Sequence, residues 1–295
     1  MTAAQTVVER AHAKVNLVLR VGPPRADGMH PLSSLFAALE LADEVRVTPL
    51  VDADRDLVVC AGVEGENLAA AAAAAFRTAA PDAGLPPLRI EIDKAVPVAA
   101  GLAGGSADAA AVLRAANALA GAPLSPDELR GIAARLGSDV PSQVEPTHAI
   151  VTGVGERVER VDLPPMTLVL VPQDEGLSTA AVYGELDRIG GHAGDLDPAP
   201  LRALAAAEVG ALAAGLANDL QPAALALRPE LSESLAALRV GGALAAQVTG
   251  SGPTTFGVFA DRLAAEAAVA SIDGRRAADT GKAPPPPPIV TELLS

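Results

Sequence analysis

The stretch PVAAGLAGGSAD, residues 97–108, places three glycines and a serine directly before an alanine-rich run that ends at Gly121. Alanine is the strongest helix former, and the larger apolar residues of the run recur at three- and four-residue spacing, so the sequence predicts a helix over 106–119. Gly121 and Pro123 are expected to end this helix. The glycines therefore stand at the N-terminus of a long helix.

A glycine loop in this position is a candidate anion site. Helix N-termini carry unsatisfied N–H groups and about half a positive charge, and glycines let phosphate oxygens approach the backbone without obstruction by a Cβ atom. Gly101, Gly104 and Gly105 are the expected points of access. The alternative is a tight turn capped by Ser106. The loop lacks the G-K-[ST] of P-loop proteins and the G-x-G-x-x-G of dinucleotide-binding proteins.

Composition limits the partners. The chain has 295 residues, half of them apolar, which is enough for about two globular domains. The net charge of −14 argues against nucleic acid, because phosphate backbones are bound through clustered Lys and Arg. An anionic small molecule would have to be held locally, by glycine loops, helix termini and cations such as Lys14 and Lys94.

The rest of the composition indicates a soluble, cytoplasmic protein. Cys60 is the single cysteine, which excludes an internal disulfide, and we expect it to be a small buried hydrophobe. Charged residues interrupt the apolar N-terminal segment, which is unlike a signal peptide, and the alanine run at 69–75 is too short to cross a membrane. We expect no membrane or nucleic-acid contact and see no sign of an obligate protein partner.

Local patterns divide the chain into two domains, 1–162 and 163–295, with the break at DLPPM before the apolar strand TLVLVP. The first domain opens with two extended pieces separated by AHAK at 11–14. The second contains another glycine turn, TGSGPT at 249–254. The proline-rich tail from about residue 279 is expected to be disordered or loosely packed.

Several separated stretches, taken in order, resemble the GHMP kinase superfamily of small-molecule kinases. They are AKVNLVLRVGPPRADGMHPLSSLFAALELADEV at 13–45, PVAAGLAGGSADAA at 97–110 and TGSGPTTFGVF at 249–259. LGSDVP at 136–141 and AVYGELD at 181–187 are similar to the branch of that superfamily whose acceptor is a cytidine-diphosphate-linked methylerythritol. Each motif alone is weak, whereas the ordered combination is specific.

The resemblance implies an α+β fold of two domains, an N-terminal nucleotide domain like ribosomal protein S5 and a ferredoxin-like C-terminal domain. It implies an enzyme that uses ATP and Mg²⁺ to phosphorylate the 2-hydroxyl of 4-diphosphocytidyl-2-C-methyl-D-erythritol, in the non-mevalonate pathway to isoprenoids. Two alternatives stay open. One is a GHMP-type kinase of another small alcohol, such as mevalonate or homoserine, and the other is a relative that binds a nucleotide without catalysis.

The resemblance also implies a catalytic pair. Phosphoryl transfer to an alcohol requires positioned phosphates, neutralised charge and an acceptor for the hydroxyl proton. Asp139 matches the base, and Lys14 matches the cation that would keep Asp139 ionised and stabilise charge on the transferred group. Without the resemblance, Asp139 would be a turn residue and Lys14 a solvated strand lysine.

Further positions follow from the same match. The implied nucleotide-binding residues are Asn67, which could equally cap its helix, and the loop Pro97, Val98, Ala99, Ala100, Gly101, Leu102, Ala103, Gly104, Gly105, Ser106 and Ala107. The implied substrate-binding residues are Asn16, His30, Gly250, Ser251 and Gly252. Ser106 is also a candidate Mg²⁺ ligand, whereas we expect Asp108 to cap the helix.

The sequence departs from the superfamily pattern at a few positions. Met29 stands where a tyrosine usually stacks on cytosine, and a thioether covers a ring with less shape specificity. Ala103 and Ala107 stand where the loop usually has Gly and Ser. The resemblance therefore specifies the nucleotide side of the site more fully than the cytosine side.

Overall fold

The computed structural model describes residues 5–51, 53–63, 67–277 and 286–295. These residues form an α+β fold of two β-sheets with helices packed on them, as expected. The strands, in chain order, are β1 Val7–Val21, β2 Leu32–Pro49, β3 Leu57–Cys60, β4 Leu88–Asp93, β5 Ala149–Gly153, β6 Arg157–Arg160, β7 Thr167–Val171, β8 Ala217–Asn218, β9 Ala245–Val248, β10 Thr255–Phe259 and β11 Ile289–Glu292.

Helices connect and cover the strands. They are α1 Leu68–Ala79, α2 Gly104–Leu119, α3 Pro126–Ala133, α4 Thr179–Ile189, α5 Ala199–Ala205, α6 Val209–Ala214, α7 Gln221–Leu227, α8 Leu231–Val240 and α9 Arg262–Ala277. Among the described residues, no helix combines the length and apolar character that a membrane crossing requires.

The first sheet has seven strands, in the order β3-β4-β2-β1-β8, with β5 pairing on β2 and β6 on β5. The alanine-rich helices α1 and α2 pack against it and against each other, because small side chains allow helices and strands to approach closely. β5 and β6 form an antiparallel hairpin. The two residues of β8 come from the second half of the chain and lie parallel to β1.

The predicted break at AHAK is wrong, because β1 runs without interruption for 15 residues. The pairing of β1 with β2 instead shifts register between His12 and Lys14, and again between Asn16 and Val18. Residues 11–19 are all buried, since the strand is covered on both faces. A strand without an exposed face does not show the alternation from which strands are recognised.

The second sheet has four antiparallel strands in the order β11-β7-β10-β9. All five residues of β7 are buried, as its apolar sequence predicts. Leu17 and Ala13 of β1 share an apolar cluster with Leu168 of β7 and Phe256 of β10. The two sheets are therefore held together by one core, and the division of the chain at residue 162 remains our prediction.

The expectation of a loose tail is wrong for the part that the structure describes. Residues Ile289–Glu292 form β11 at the edge of the second sheet, beside β7. Beyond it, Leu293 forms a bridge with Leu39, and the backbone N–H of Leu294 donates to the carbonyl of Ala38 at 2.9 Å. The first two of the five prolines, Pro284 and Pro285, lie outside the described residues.

Leu293→Ala tests whether the tail is packed. Leu293 is 7% exposed, and truncating a buried leucine should lower the free energy of unfolding by at least about 2 kcal/mol. Leu263 of α9 is 78% exposed, so Leu263→Ala should change it by less than about 0.5 kcal/mol. Denaturant titration measures both, and equal small changes would contradict the packing of the tail.

Candidate active site

A cavity of about 1030 Å³ opens between the first half of the chain and the loops and helices of the second. Its walls include β1, the glycine loop 97–106, the turn at residues 138–139, α4 and the turn at 250–251. The size suits a ligand at least as large as a typical small-molecule cofactor. The cavity therefore brings together stretches of sequence that lie far apart in the chain.

The glycine loop leads from β4 into α2. The helix starts at Gly104 rather than at Ser106, and its N-cap residue, Ala103, forms no side-chain cap. The first-turn N–H groups of a helix have no partner within the helix, so they are available to an anion. Asp108 lies inside the helix, so our expectation that it caps the helix is wrong.

The loop glycines have different surroundings. A Cβ on Gly105 would meet nothing within 4 Å, so this residue opens onto the cavity. A Cβ on Gly104 would lie 3.1 Å from Val96 and 3.2 Å from Nζ of Lys94, behind the loop. Of these two glycines, only Gly105 leaves the open space through which a phosphate oxygen could approach the backbone, as was expected of all the loop glycines.

Gly101 is required by a contact between two loops. Its φ is +77°, and a Cβ would lie 2.7 Å from the carbonyl oxygen of Gly252 and 3.0 Å from that of Thr249. The N–H of Thr254 also donates to the carbonyl of Ala100 at 3.4 Å. The glycine loop of the first half and the glycine turn of the second half are thus in direct backbone contact.

Two alanines of the loop also adopt left-handed backbone conformations, Ala99 with φ +53° and Ala103 with φ +58°. A residue with a Cβ pays roughly 1–2 kcal/mol for this conformation. The geometry explains why the superfamily usually has glycine where this chain has Ala103.

A buried ionic cluster lies behind the loop. Nζ of Lys94 is 2.9 Å from Oδ2 of Asp108 and also donates to Asp43. Asp43 accepts at 2.7 Å from the backbone N–H groups of both Ala95 and Val96, which fixes the start of the loop. Burial raises the pKa of Asp108 to about 6 although Lys94 opposes the shift. Oδ1 of Asp108 is buried and has no hydrogen-bond partner among the described residues.

Lys14 and Asp139 meet at the cavity wall. Nζ of Lys14 is 3.3 Å from Oδ2 of Asp139, and the side chains are 5% and 34% exposed. Nζ also donates to Oδ1 of Asn16 at 2.8 Å and lies 4.4 Å from the ring centroid of Phe36. Ser142 donates through Oγ to the carbonyl of Asp139 at 2.8 Å, which fixes the turn. The arrangement is a nearly buried cation beside a carboxylate that solvent or a ligand can reach.

Asn16 lines the cavity, and each polar atom of its side-chain amide has one hydrogen-bond partner. Oδ1 accepts from Lys14, and Nδ2 donates to Oγ of Ser34 at 2.9 Å. Its backbone N–H donates to Oγ1 of Thr249 at 3.0 Å, across from the second half of the chain. This geometry holds Nζ of Lys14 in place, and because the amide nitrogen carries a second N–H, contact between Asn16 and a substrate stays our prediction.

Another part of the cavity wall is formed by His30, Tyr183 and Met29. The rings of His30 and Tyr183 are 4.9 Å apart between centroids. Burial, with a contribution from Asp139, raises the pKa of Tyr183 to about 12, so its hydroxyl stays protonated at neutral pH. Tyr183 is not among the predicted site residues, although it is the single tyrosine of the chain and lies within the motif AVYGELD at 181–187.

Most of the other predicted site residues also line the cavity. They are Asn67, Pro97, Val98, Ala99, Ala100, Leu102, Ser106, Gly250 and Ser251. Asn67 in addition caps α1 by accepting from the N–H of Ala69 at 2.9 Å. Ala107 and Gly252 do not line it: Ala107 belongs to the apolar core, and Gly252 lies behind the loop against Gly101.

Comparisons with known proteins place the chain in a family of kinases. The GHMP kinases N terminal domain matches residues 67–145, and the GHMP kinases C terminal domain matches residues 201–277. The 4-diphosphocytidyl-2-C-methyl-D-erythritol kinase of Streptomyces avermitilis is 43% identical over 98% of this chain and 100% of its own length. That of Streptomyces coelicolor is 46% identical over 88% and 90%.

Solved structures show the same likeness. A crystal structure of 4-(cytidine 5'-diphospho)-2C-methyl-D-erythritol kinase superimposes with a TM-score of 0.79 and 33% identity, over 98% of this chain and 100% of that one. A homoserine kinase from Cytophaga hutchinsonii, at 17% identity and a TM-score of 0.67, covers 100% of this chain and 96% of its own and shares the fold.

Gly101→Ala tests the contact between the loops. Gly121 has a similar φ, +81°, but a Cβ there would meet nothing within 4 Å, so Gly121→Ala isolates the backbone strain of about 1 kcal/mol. Gly101→Ala adds a steric clash, which should destabilise the protein by at least about 1 kcal/mol more. Unfolding free energies from denaturant titration give the difference, and equal losses would contradict the contact.

Proposed function

The chain belongs to the GHMP kinases and, among them, to the 4-diphosphocytidyl-2-C-methyl-D-erythritol kinases, and from this premise we propose that it transfers the γ-phosphoryl group of ATP to the 2-hydroxyl of 4-diphosphocytidyl-2-C-methyl-D-erythritol. The reaction is a step towards isoprenoid precursors and takes place in the cytoplasm. The observation that carries the proposal is the pair of Lys14 and Asp139, 3.3 Å apart, on a cavity that the glycine loop also lines.

In the proposed reaction, the substrate hydroxyl oxygen forms a bond to the γ-phosphorus as the bond from that phosphorus to the bridging oxygen of ADP breaks. The hydroxyl proton passes to the carboxylate of Asp139, and ADP leaves with the electron pair of the broken bond. Asp139 suits this role because its side chain is 34% exposed towards the cavity while its backbone is fixed by Ser142. A base must reach the proton that it removes.

Lys14 has two functions in this proposal. Its ammonium holds the carboxylate of Asp139 in position through the ion pair, with Nζ 3.3 Å from Oδ2. It also stabilises negative charge that develops on the transferred group, and a cation in a site with little water does this more strongly than one in solvent. Asn16 supports both functions by holding Nζ at 2.8 Å.

The glycine loop is the proposed binding site for the ATP phosphates. The first-turn N–H groups of α2, at Gly104, Gly105 and Ser106, form an anion site beside the open face at Gly105. Asn67 lies at the N-terminus of α1 on the same cavity, where it is proposed to lie near the adenine.

Two side chains near the start of α2, those of Ser106 and Asp108, offer oxygen atoms, which are the ligands that Mg²⁺ prefers. Oδ1 of Asp108 is buried without a hydrogen-bond partner among the described residues, and Ser106 lines the cavity. We propose these two side chains as the protein groups that hold the ion. When bound, Mg²⁺ supplies neutralisation of the charge on the β- and γ-phosphates.

The other wall of the cavity fits the acceptor. His30, Tyr183 and Met29 provide a ring donor or acceptor, an aromatic face and a polarisable thioether, which together suit the planar cytosine. Gly250 and Ser251 lie on the same cavity and are proposed to contact the substrate.

The direct experiment is a coupled assay of ADP release with this acceptor and Mg²⁺, and an absence of turnover above background would overturn the proposal.

Asp139→Asn tests the base. Asparagine preserves size and most hydrogen bonds but cannot take the proton, so kcat should fall by roughly 10² to 10⁴ while both dissociation constants change far less. Asp127→Asn is the matched control, because this side chain is 91% exposed on α3. A kcat for Asp139→Asn within about threefold of wild type, far less than a general base contributes, would exclude Asp139 as the base.

Gly105→Val tests the phosphate site. A branched side chain there would enter the open space in front of the first-turn N–H groups, so ATP affinity should fall at least about tenfold, or about 1.4 kcal/mol. Gly131→Val places the same side chain on an open face of α3, where a Cβ also meets nothing within 4 Å, and should leave affinity unchanged. Calorimetric titration with ATP measures both, and equal affinities would argue against the loop as the phosphate site.

A further inference from the structure

Two histidines and a carboxylate converge at the edge of the cavity. Nε2 of His30 and Nε2 of His192 both lie 2.8 Å from the same oxygen, Oδ1 of Asp187. The two imidazole rings are stacked, with centroids 5.8 Å apart and planes 13° apart. His30 and Asp187 line the cavity, whereas His192 does not.

The fold fixes these residues from two directions. His30 ends the loop before β2, Asp187 lies in the last turn of α4, and His192 follows α4 just beyond its C-cap residue Gly190. Both histidines are partly buried and Asp187 is exposed, so the group is accessible from solvent without being fully solvated. His192 has no part in the proposed reaction.

The donor set is that of a transition-metal site. Two imidazole nitrogens and a carboxylate oxygen are typical ligands of zinc sites that keep a fourth position open. The three ligand atoms lie within 4.8 Å of one another. Tetrahedral Zn²⁺ with ligands at about 2.0–2.1 Å places them about 3.3 Å apart, a separation within the range of the present ones.

We propose that His30, Asp187 and His192 bind one dication of the Zn²⁺ type, and that this ion competes with the nucleobase for His30. The second part rests on the proposed function, in which His30 contacts cytosine. The metal ion would take the Nε2 of His30 and occupy the edge of the cavity beside Tyr183. Mg²⁺ does not fit this site, because it prefers oxygen ligands.

Zn²⁺ binding is measured without turnover, by calorimetric titration of the nucleotide-free protein with Zn²⁺ alone. Wild type should bind one ion at this site. His192→Gln should weaken binding at least about tenfold, since even loss of a group that only orients a metal ligand costs 10–100-fold. Asp195→Asn, in the same surface loop, is the matched control and should bind as wild type does.

The NMR signals of the histidine side chains show directly which residues bind the ion. The chain has four histidines. In an imidazole ¹H–¹⁵N spectrum, Zn²⁺ should move the signals of His30 and His192 and leave those of His12 and His148, which are buried elsewhere, in place. Equal Zn²⁺ affinity of wild type and His192→Gln, or movement of other histidines instead, would overturn the site.

Competition is tested with cytidine, which has no phosphate to chelate the metal. Saturating cytidine should raise the apparent Kd of wild type for Zn²⁺, and His192→Gln should retain kinase turnover at the wild-type rate. An unchanged Zn²⁺ affinity in saturating cytidine would overturn the competition. A failure of the kinase assay with an intact Zn²⁺ titration would instead count against the proposed function alone.

Discussion

Lys14 carries a charge in the middle of a strand that is buried on both faces, and much of the site is arranged around this fact. An ammonium taken out of water is costly unless it is paired and hydrogen-bonded. Here Asn16, Asp139 and the face of Phe36 surround it. The register shifts of β1 occur on either side of the pair of Lys14 and Asn16. Between the two shifts the strand is regular, so these residues, two positions apart, project from the same face.

The second half of the chain holds this strand in position. Gln247 donates through Nε2 to the carbonyls of Asn16 and Leu17, at 2.8 and 3.0 Å, and Thr249 accepts from the N–H of Asn16. The N–H of Lys14 donates in turn to the carbonyl of Leu102 in the glycine loop at 3.1 Å. The strand that carries Lys14 is therefore connected to the glycine loop by a backbone hydrogen bond. Residues from the second half of the chain hold the same strand in place.

Local signals predicted what is locally determined. The helix after the glycine loop follows from alanine propensity, and Asn67 caps its helix through a short-range bond that its residue type favours. The α+β fold and the family were recognised from ordered motifs and are confirmed. The failures concern long-range contacts. Asp108 pairs with Lys94 rather than capping α2, and Gly101 is a glycine because a loop about 150 residues later lies against it. No pattern within a window of sequence contains that information.

The position of β11 also affects the order in which the protein can be completed during synthesis. A ribosome releases the N-terminal residues first, and domains generally begin to fold as they emerge. Yet Leu294 donates to the carbonyl of Ala38, and Ala38 is the residue of β2 that lies opposite Lys14. β2, the strand that pairs with β1, therefore acquires these neighbours only after about 250 further residues have been translated. A nascent chain that has not yet reached residue 289 has both glycine loops but lacks the strand that covers the edge of β7 and the bridge from that strand to β2.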